Sequence, residues 1–326
     1  MALISVDFAI FACVVILIFH ISPVSFKKPW LLLASLFFYF LIDVRFFCVL
    51  AILGMTNYWL AIRSLASQKK ALYSNAAFFI DISSFGLVKI LSSHYLEQVS
   101  ISSGSNGICW ILPVGFSFYL LQLISFQLDF RAGRIKVIPS FMDFALFICY
   151  FPKVLSGPIE KPVNFLKQIT SPRKMTSLDI YHGFGLIFIG LIRKLFIANI
   201  LSVFMPDWIS EAHSINWLQM IGYVILIYND FAGYTAIVRG ISHLLGIVLS
   251  PNFQQPLLSR NFSEFWTRWH MSLSTWLRET IFFPLSRKLG RNSGNFTEKM
   301  ISIIIPPMLT MLASGFWHGA SLAMMV

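Results

Sequence analysis

Two histidines in this 326-residue chain, His270 and His318, each sit beside a tryptophan within strongly apolar sequence. An imidazole buried in such surroundings is held neutral, and a neutral imidazole within hydrogen-bond reach of a hydroxyl can act as its general base. His318 lies in Gly315-Phe-Trp-His-Gly319, where glycines permit an irregular backbone around the ring. The structural alternative for each is a hydrogen-bonded core histidine. Metal binding would need ligands that the spacing does not supply. The chain has no GxSxG elbow, P-loop or GxGxxG motif for a serine nucleophile or a nucleotide.

Asp81, Asn229 and Asp230 are the other polar groups expected at membrane depth. A charge at the bilayer centre costs at least ~2.5–3.5 kcal/mol, so such groups pair, line cavities or do chemistry. Asp81 has Lys89 two turns further along the same helix, which favours a structural pairing. Asp230 lies late in an apolar run beside Gly233, where the backbone can be closely approached.

The residues that must position these groups follow from periodicity. Wound as one helix, Arg260–Glu279 places Phe262, Phe265, Trp266, Trp269, Leu273, Trp276 and Leu277 on one face. Arg260, Thr267, Ser274 and Arg278 fall opposite, with His270 at the boundary. Asn261 and Glu264 form a capping-box pattern at its start. An aromatic face backed by arginines suits a helix lying in a membrane interface. Arg260, Arg268, Arg278, Arg287 and Lys288 form a basic face suited either to an anionic ligand or to lipid. Met300–Trp317 leads to His318 and is interrupted by Pro306–Pro307, which should break or kink it.

Hydrophobic residues make up 57% of the chain and charged residues 12%, about half the share of a soluble domain. The chain therefore reads as a polytopic membrane protein. Its net charge of +11 is spread over short loops and carries no nucleic-acid motif. The four cysteines lie far apart in apolar runs and read as small buried hydrophobes. The first apolar run lacks the flanks of a cleaved signal and reads as a retained helix.

Expected spans are Ile4–Ser22, Trp30–Ile42, Val44–Ile62, Ala71–Leu91, Ile108–Phe130, Leu178–Phe204, Trp217–Val238 and Met300–Trp317. Trp30–Ile42 is short for a crossing. Phe141–Phe151 is too short to cross, so a re-entrant or surface helix is expected there. Ser92–Gly107 reads as a polar loop without Lys or Arg. Ser100–Gly107 and Arg287–Asn295 are the candidate mobile loops.

Five ordered blocks carry a resemblance: Leu112–Gly133, Phe151–Ile169, Ile227–Gly233, Asn261–Pro284 and Ser314–Ser321. Together they resemble the membrane-bound O-acyltransferase family. The branch is the bacterial polysaccharide acylators, namely alginate O-acetylation membrane subunits and teichoic-acid D-alanyl transferases. The resemblance covers most of the chain from about residue 25 onward. It implies an all-α polytopic fold, a single domain over 1–326, with a helical ring and re-entrant and interfacial helices. It also implies further C-terminal helices beyond Val326.

In function, the resemblance implies acyl transfer, with acetyl the expected group. The donor would be a cytoplasmic acyl-CoA or carrier-protein thioester, with no bound cofactor. Acceptors would be hydroxyls of an exported polysaccharide, reached through an extracytoplasmic partner. The site would be in a bacterial inner membrane, in contact with membrane lipid and without nucleic acid. His318 matches the family's catalytic histidine and His270 its second functional position. Asn261, Trp269, Arg278, Asp230 and Trp317 are candidate substrate contacts. A degenerate relative acting as scaffold or transporter is the alternative.

Loop charge gives a testable topology, since basic loops stay cytoplasmic. Ser64–Lys70 and Arg131–Lys136 should face the cytoplasm, and Ser92–Gly107 and Met205–Asn216 the outside. An impermeant thiol reagent applied to intact cells should label Ser103→Cys and spare Ser67→Cys.

Overall fold

A computed structural model describes residues 5–67, 69–101, 114–172, 175–205, 216–291 and 295–319 of the chain. The described residues form helices joined by turns and loops, without strands. Local caps start most helices where the sequence offers them. Ser5 caps α1 (Val6–Ile21), its hydroxyl accepting from Phe8 N at 3.2 Å. Helix α2 (Val24–Ile42) begins six residues before the expected Trp30, tolerates Pro29 in its second turn, and so gains the length to cross. Asp43 caps α3 (Val44–Ala66).

Helix α4 (Lys70–Ile101) runs on through Ser92, so the first ten residues of the expected loop Ser92–Gly107 are helical and the remainder lies outside the described residues. Helix α5 (Phe116–Arg131) follows, and residues 102–113 before it are likewise outside. Helix α6 (Phe141–Cys149) is short as expected, but Phe144, Leu146, Phe147, Ile148 and Cys149 are buried, so it is not a surface helix. Then come α7 (Pro162–Thr170), α8 (Ser177–Leu191), a π turn (Ile192–Ala198), α9 (Asn199–Phe204) and α10 (Trp217–Leu244). The chain closes with α11 (Phe262–Arg268), α12 (Met271–Leu277), a second π turn (Arg278–Phe282), α13 (Phe283–Gly290) and α14 (Phe296–His318). In the candidate mobile loop Arg287–Asn295, residues 287–290 are helical and 292–294 are outside the described residues.

Among the described residues, six stretches are long and apolar enough to cross a membrane: Val24–Ile42, Val44–Ala66, Ala71–Leu91, Ser177–Phe204, Trp217–Leu244 and Phe296–His318. Their outward faces carry large apolar side chains, among them Phe184, Phe188, Val203 and Leu218, as a lipid-facing surface requires. The chain is an all-α polytopic membrane protein. Helix α5 runs through its centre and is buried on nearly every side. Around it pack Phe38 and Tyr39 of α2, Phe144 and Phe147 of α6, and Phe165 of α7. The polar residues of this interior join helices. Asn57 of α3 donates to Asp81 of α4 at 2.8 Å, and Gln127 of α5 donates to Asn57 at 2.9 Å. The expected pairing of Asp81 is therefore made across helices to Asn57, not along α4.

The α8–π segment and α10 meet through reciprocal glycines. A Cβ on Gly240 would lie 2.5 Å from the Gly183 carbonyl oxygen, and one on Gly190 would lie 2.7 Å from that of Gly233. Small residues at such crossings let backbones come together where no hydrophobic effect drives association. Gly240→Ala should destabilise the protein by about 1–3 kcal/mol through overpacking. Gly86→Ala, with open space around its Cβ, should be stabilising by up to about 1 kcal/mol. Thermal unfolding of the purified variants in detergent separates the two.

Candidate active site

The expected single helix over Arg260–Glu279 is broken at Trp269–His270. Trp269 is extended, and His270 is left-handed with φ 41° and ψ 52°. A non-glycine residue there costs of order 1–3 kcal/mol and persists only when its surroundings over-determine it. Here they do. Met271 N donates to Asn252 O at 2.8 Å and Gln254 N to Arg268 O at 3.0 Å, so residues 252–254 pair with the break. Trp269 is gripped by Phe265, Phe253 and Tyr228, with ring centroids 5.5, 5.1 and 6.1 Å away. The apolar face expected of one helix is thereby divided: Phe262 and Trp266 point outward, while Leu273 and Leu277 enter the core.

As N-cap of α12, His270 accepts the Leu273 amide on Nδ1 at 3.3 Å. That bond assigns the proton of the neutral ring to Nε2, which is buried without a hydrogen-bond partner. The residue is 4% exposed. Burial pushes its pKa down to about 4, with the neighbouring His318 adding in the same direction. His270 thus presents an N–H at its free edge. Its ring packs on Phe231 at 4.9 Å and on Trp317 at 5.7 Å.

Helix α14 brings His318 to the same place. It continues as one helix through Pro306–Pro307, so of the expected break or kink the pair does not make the break. Proline's fixed φ is itself helical, so a helix can carry the pair at the loss of two amide donors. At its end, Lys89 of α4 donates to the carbonyl oxygens of Trp317 at 2.5 Å and His318 at 3.5 Å. A cation on the last carbonyls of a helix satisfies acceptors left open there. The His318 ring stands edge-on to Trp317, with centroids 4.7 Å apart.

Both histidines line one cavity of ≈ 310 Å³, with Trp317, Asp230, Tyr234 and Ser156. Asp230 is held in an ion pair with Lys194 of the first π turn. The Tyr234 hydroxyl accepts the Ser156 amide at 3.1 Å. Of the expected substrate contacts, Asp230 and Trp317 are therefore at the cavity. Trp269 packs behind it. Asn261 caps α11 and accepts the Glu264 amide at 2.8 Å, and Arg278 opens the second π turn; neither lines it. Lys89, Lys194 and Tyr234 were not singled out for this site by sequence. Lys194 bore the same signal as Asp230, a charge inside an apolar run.

A second cavity of ≈ 410 Å³ lies against α12 and is lined by Met271, Ser272, Thr275 and Trp276 together with Glu160 and Arg134. Trp276 donates to Ser125 Oγ at 2.7 Å and Ile159 N to Ser272 Oγ at 3.1 Å, fixing α12 between α5 and the 159–160 segment. Arg260, Arg268, Arg278, Arg287 and Lys288 line neither cavity. Arg268 instead pairs with Glu264 at 2.5 Å.

Residues 36–326 match the model of the membrane-bound O-acyltransferase family. The chain belongs to that family. It is 29% identical to a probable alginate O-acetylase AlgI of Pseudomonas fluorescens, over 95% of this chain and 60% of that protein. It is 28% identical to a peptidoglycan O-acetyltransferase of Helicobacter pylori, over 90% of this chain and 61% of that protein. A teichoic acid D-alanyltransferase of Bacillus subtilis is 31% identical over 63% of this chain and 53% of that protein. The chain thus spans about three-fifths of the length of the first of these membrane-bound O-acyltransferase relatives.

The buried state of His270 has a pH signature. Its pKa in the folded protein, about 4, lies below the ~6.5 of an unfolded histidine. Between those values the unfolded chain binds the proton and the native one does not, so stability is full above pH 6.5 and falls as pH drops towards 4. Melting temperatures of wild type should therefore decline over that window more steeply than those of His270→Asn, and equal slopes would show that His270 is solvated.

Proposed function

We propose that this chain carries the reaction centre of a membrane O-acyltransferase that moves an acyl group, acetyl by preference, from a thioester to a hydroxyl of an exported polysaccharide. The observation that carries the reading is the convergence of His270 and His318, from separate helices, on one cavity. His318 is the general base. Its imidazole takes the proton of the attacking hydroxyl as the oxygen bonds to the thioester carbonyl carbon. The resulting oxyanion is met by the Nε2–H of His270, a donor already desolvated and held in place. Collapse of the tetrahedral intermediate expels the thiolate, which recovers the proton from His318. Atoms and protons balance, and both histidines end as they began.

The two cavities on either side of α12 support separate approaches for donor and acceptor. The one lined by Arg134 adjoins the Arg131–Lys136 loop, whose basic charge supports a cytoplasmic side and so an acyl-CoA or carrier thioester. The acceptor, an extracytoplasmic acyl-transfer partner and an inner-membrane location belong to the same reading. The relatives act, by their names, on alginate, peptidoglycan or teichoic acid, and this supports a cell-envelope polymer as acceptor.

In the full-length protein, His318→Ala should lower acyl transfer by about 10²–10⁴-fold, the usual effect of losing a positioned base, while membrane insertion is retained. His270→Gln, which keeps an N–H donor, should lose less activity than His270→Ala. Near-normal transfer by His318→Ala would replace this reading with that of a non-enzymatic scaffold or transport protein.

A further inference from the structure

A cavity of ≈ 910 Å³, larger than either beside α12, opens where α1 ends and α2 begins and is closed by α6, α7 and the end of α10. Its volume is in the range of small-ligand sites, and its lining brings Lys27, Lys28 and His20 together with the apolar Leu31, Leu146 and Ile169. Both lysines are half-buried. Lys28 is paired with Asp143 of α6 at 2.7 Å, and that carboxylate also accepts from Ser140 Oγ at 2.7 Å. The Lys27 ammonium lies 4.8 Å over the Phe19 ring. His20 is spent on the Leu244 carbonyl, to which Nε2 donates at 2.8 Å. Asp143 thus pairs with Lys28 while the Lys27 ammonium lies on an aromatic face, and the pocket carries two ammonium groups beside apolar side chains.

The level of these lysines matters. Lys27 and Lys28 lie in the first turns of the span Val24–Ile42, and the ends of a membrane-crossing helix are where phospholipid head groups meet it. Basic pockets between transmembrane helices on the cytoplasmic side recognise anionic head groups. We infer that this cavity is a binding site for an anionic phospholipid, its phosphate resting on Lys27 and Lys28 and one acyl chain lying along Leu31, Leu146 and Ile169. The occupant would fill the joint between α1–α2 and the α6–α7–α10 side and so stiffen a part of the fold far in sequence from the histidines. The assignment does not depend on the acyl-transfer reading, because the readout is lipid binding.

The test uses the full-length protein, purified in detergent and stripped of lipid, with phosphatidylglycerol and phosphatidylcholine of identical chains as probes. Native mass spectrometry should show phosphatidylglycerol retained in preference, with a matching rise in melting temperature. Removing the charges should weaken that binding about 5-fold per lysine in Lys27→Gln/Lys28→Gln and leave phosphatidylcholine unaffected. Should the double variant misfold for want of the Lys28–Asp143 pair, Lys27→Gln leaves that pair intact and should still lose about 5-fold. Equal binding of the two lipids, or an unchanged preference in Lys27→Gln, overturns the site. Displacement of the lipid by millimolar inorganic phosphate would overturn it too, in favour of a soluble anion.

Discussion

The left-handed turn at His270 is the constraint on which the candidate site rests. A continuous helix would carry the ring along an amphipathic surface and could not aim it at the end of α14. The turn ends α11, starts α12, and frees the imidazole to cap the new helix with Nδ1. That one bond does two things: it satisfies an amide at the start of α12, and it fixes which ring nitrogen bears the proton. The cost of the backbone conformation is met by the hydrogen bonds of Asn252 and Gln254 and by the aromatic grip on Trp269. Geometry and protonation state of His270 are thus one property of the fold, not two.

Two further contacts carry the other half of the cavity. Lys89 fastens the last carbonyls of α14 to α4, so His318 is placed by a helix end that belongs, in position, to a distant part of the chain. The glycine-paired crossing of α8 and α10 brings the first π turn against α10, where Lys194 meets Asp230. A π turn offsets the helix by an extra residue, which gives Lys194 a direction that a regular α8 would not. The cavity is therefore assembled from α4, the α8–α10 pair, α12 and α14 together. No one segment contains it.

This explains what sequence made legible and what it hid. The spans stand out because apolar runs at bilayer length have few other readings, and α3, α10 and α14 fall close to where hydropathy sets them. His270, His318 and Asp230 were visible because a polar group in an apolar run is costly unless used, and Trp317 only through the resemblance. The break inside Arg260–Glu279 was hidden, because its periodicity fits a helix on both sides of His270 and the strain is supported by residues 252–254, which no local pattern links to it. The unbroken α14 was hidden for the opposite reason: the double proline is a strong local signal that a hydrophobic environment overrides. Asn261 and Arg278 were expected as substrate contacts together with the resemblance, within the same stretch as His270. Once the helix turns at Trp269, that proximity no longer holds in space.

The position of α12 also bears on how a membrane could hold two kinds of substrate apart. Residue pairs one turn apart on a helix share a face, so successive residues point to different sides. His270 at the cap of α12 faces the smaller cavity, while Met271, Ser272, Thr275 and Trp276 face the larger one. The wall between the cavities is thus only one helix of seven residues thick, anchored by Trp276 to Ser125 and by Ser272 to the Ile159 amide. Burial of His270 itself strengthens the electrostatic interactions its ring makes.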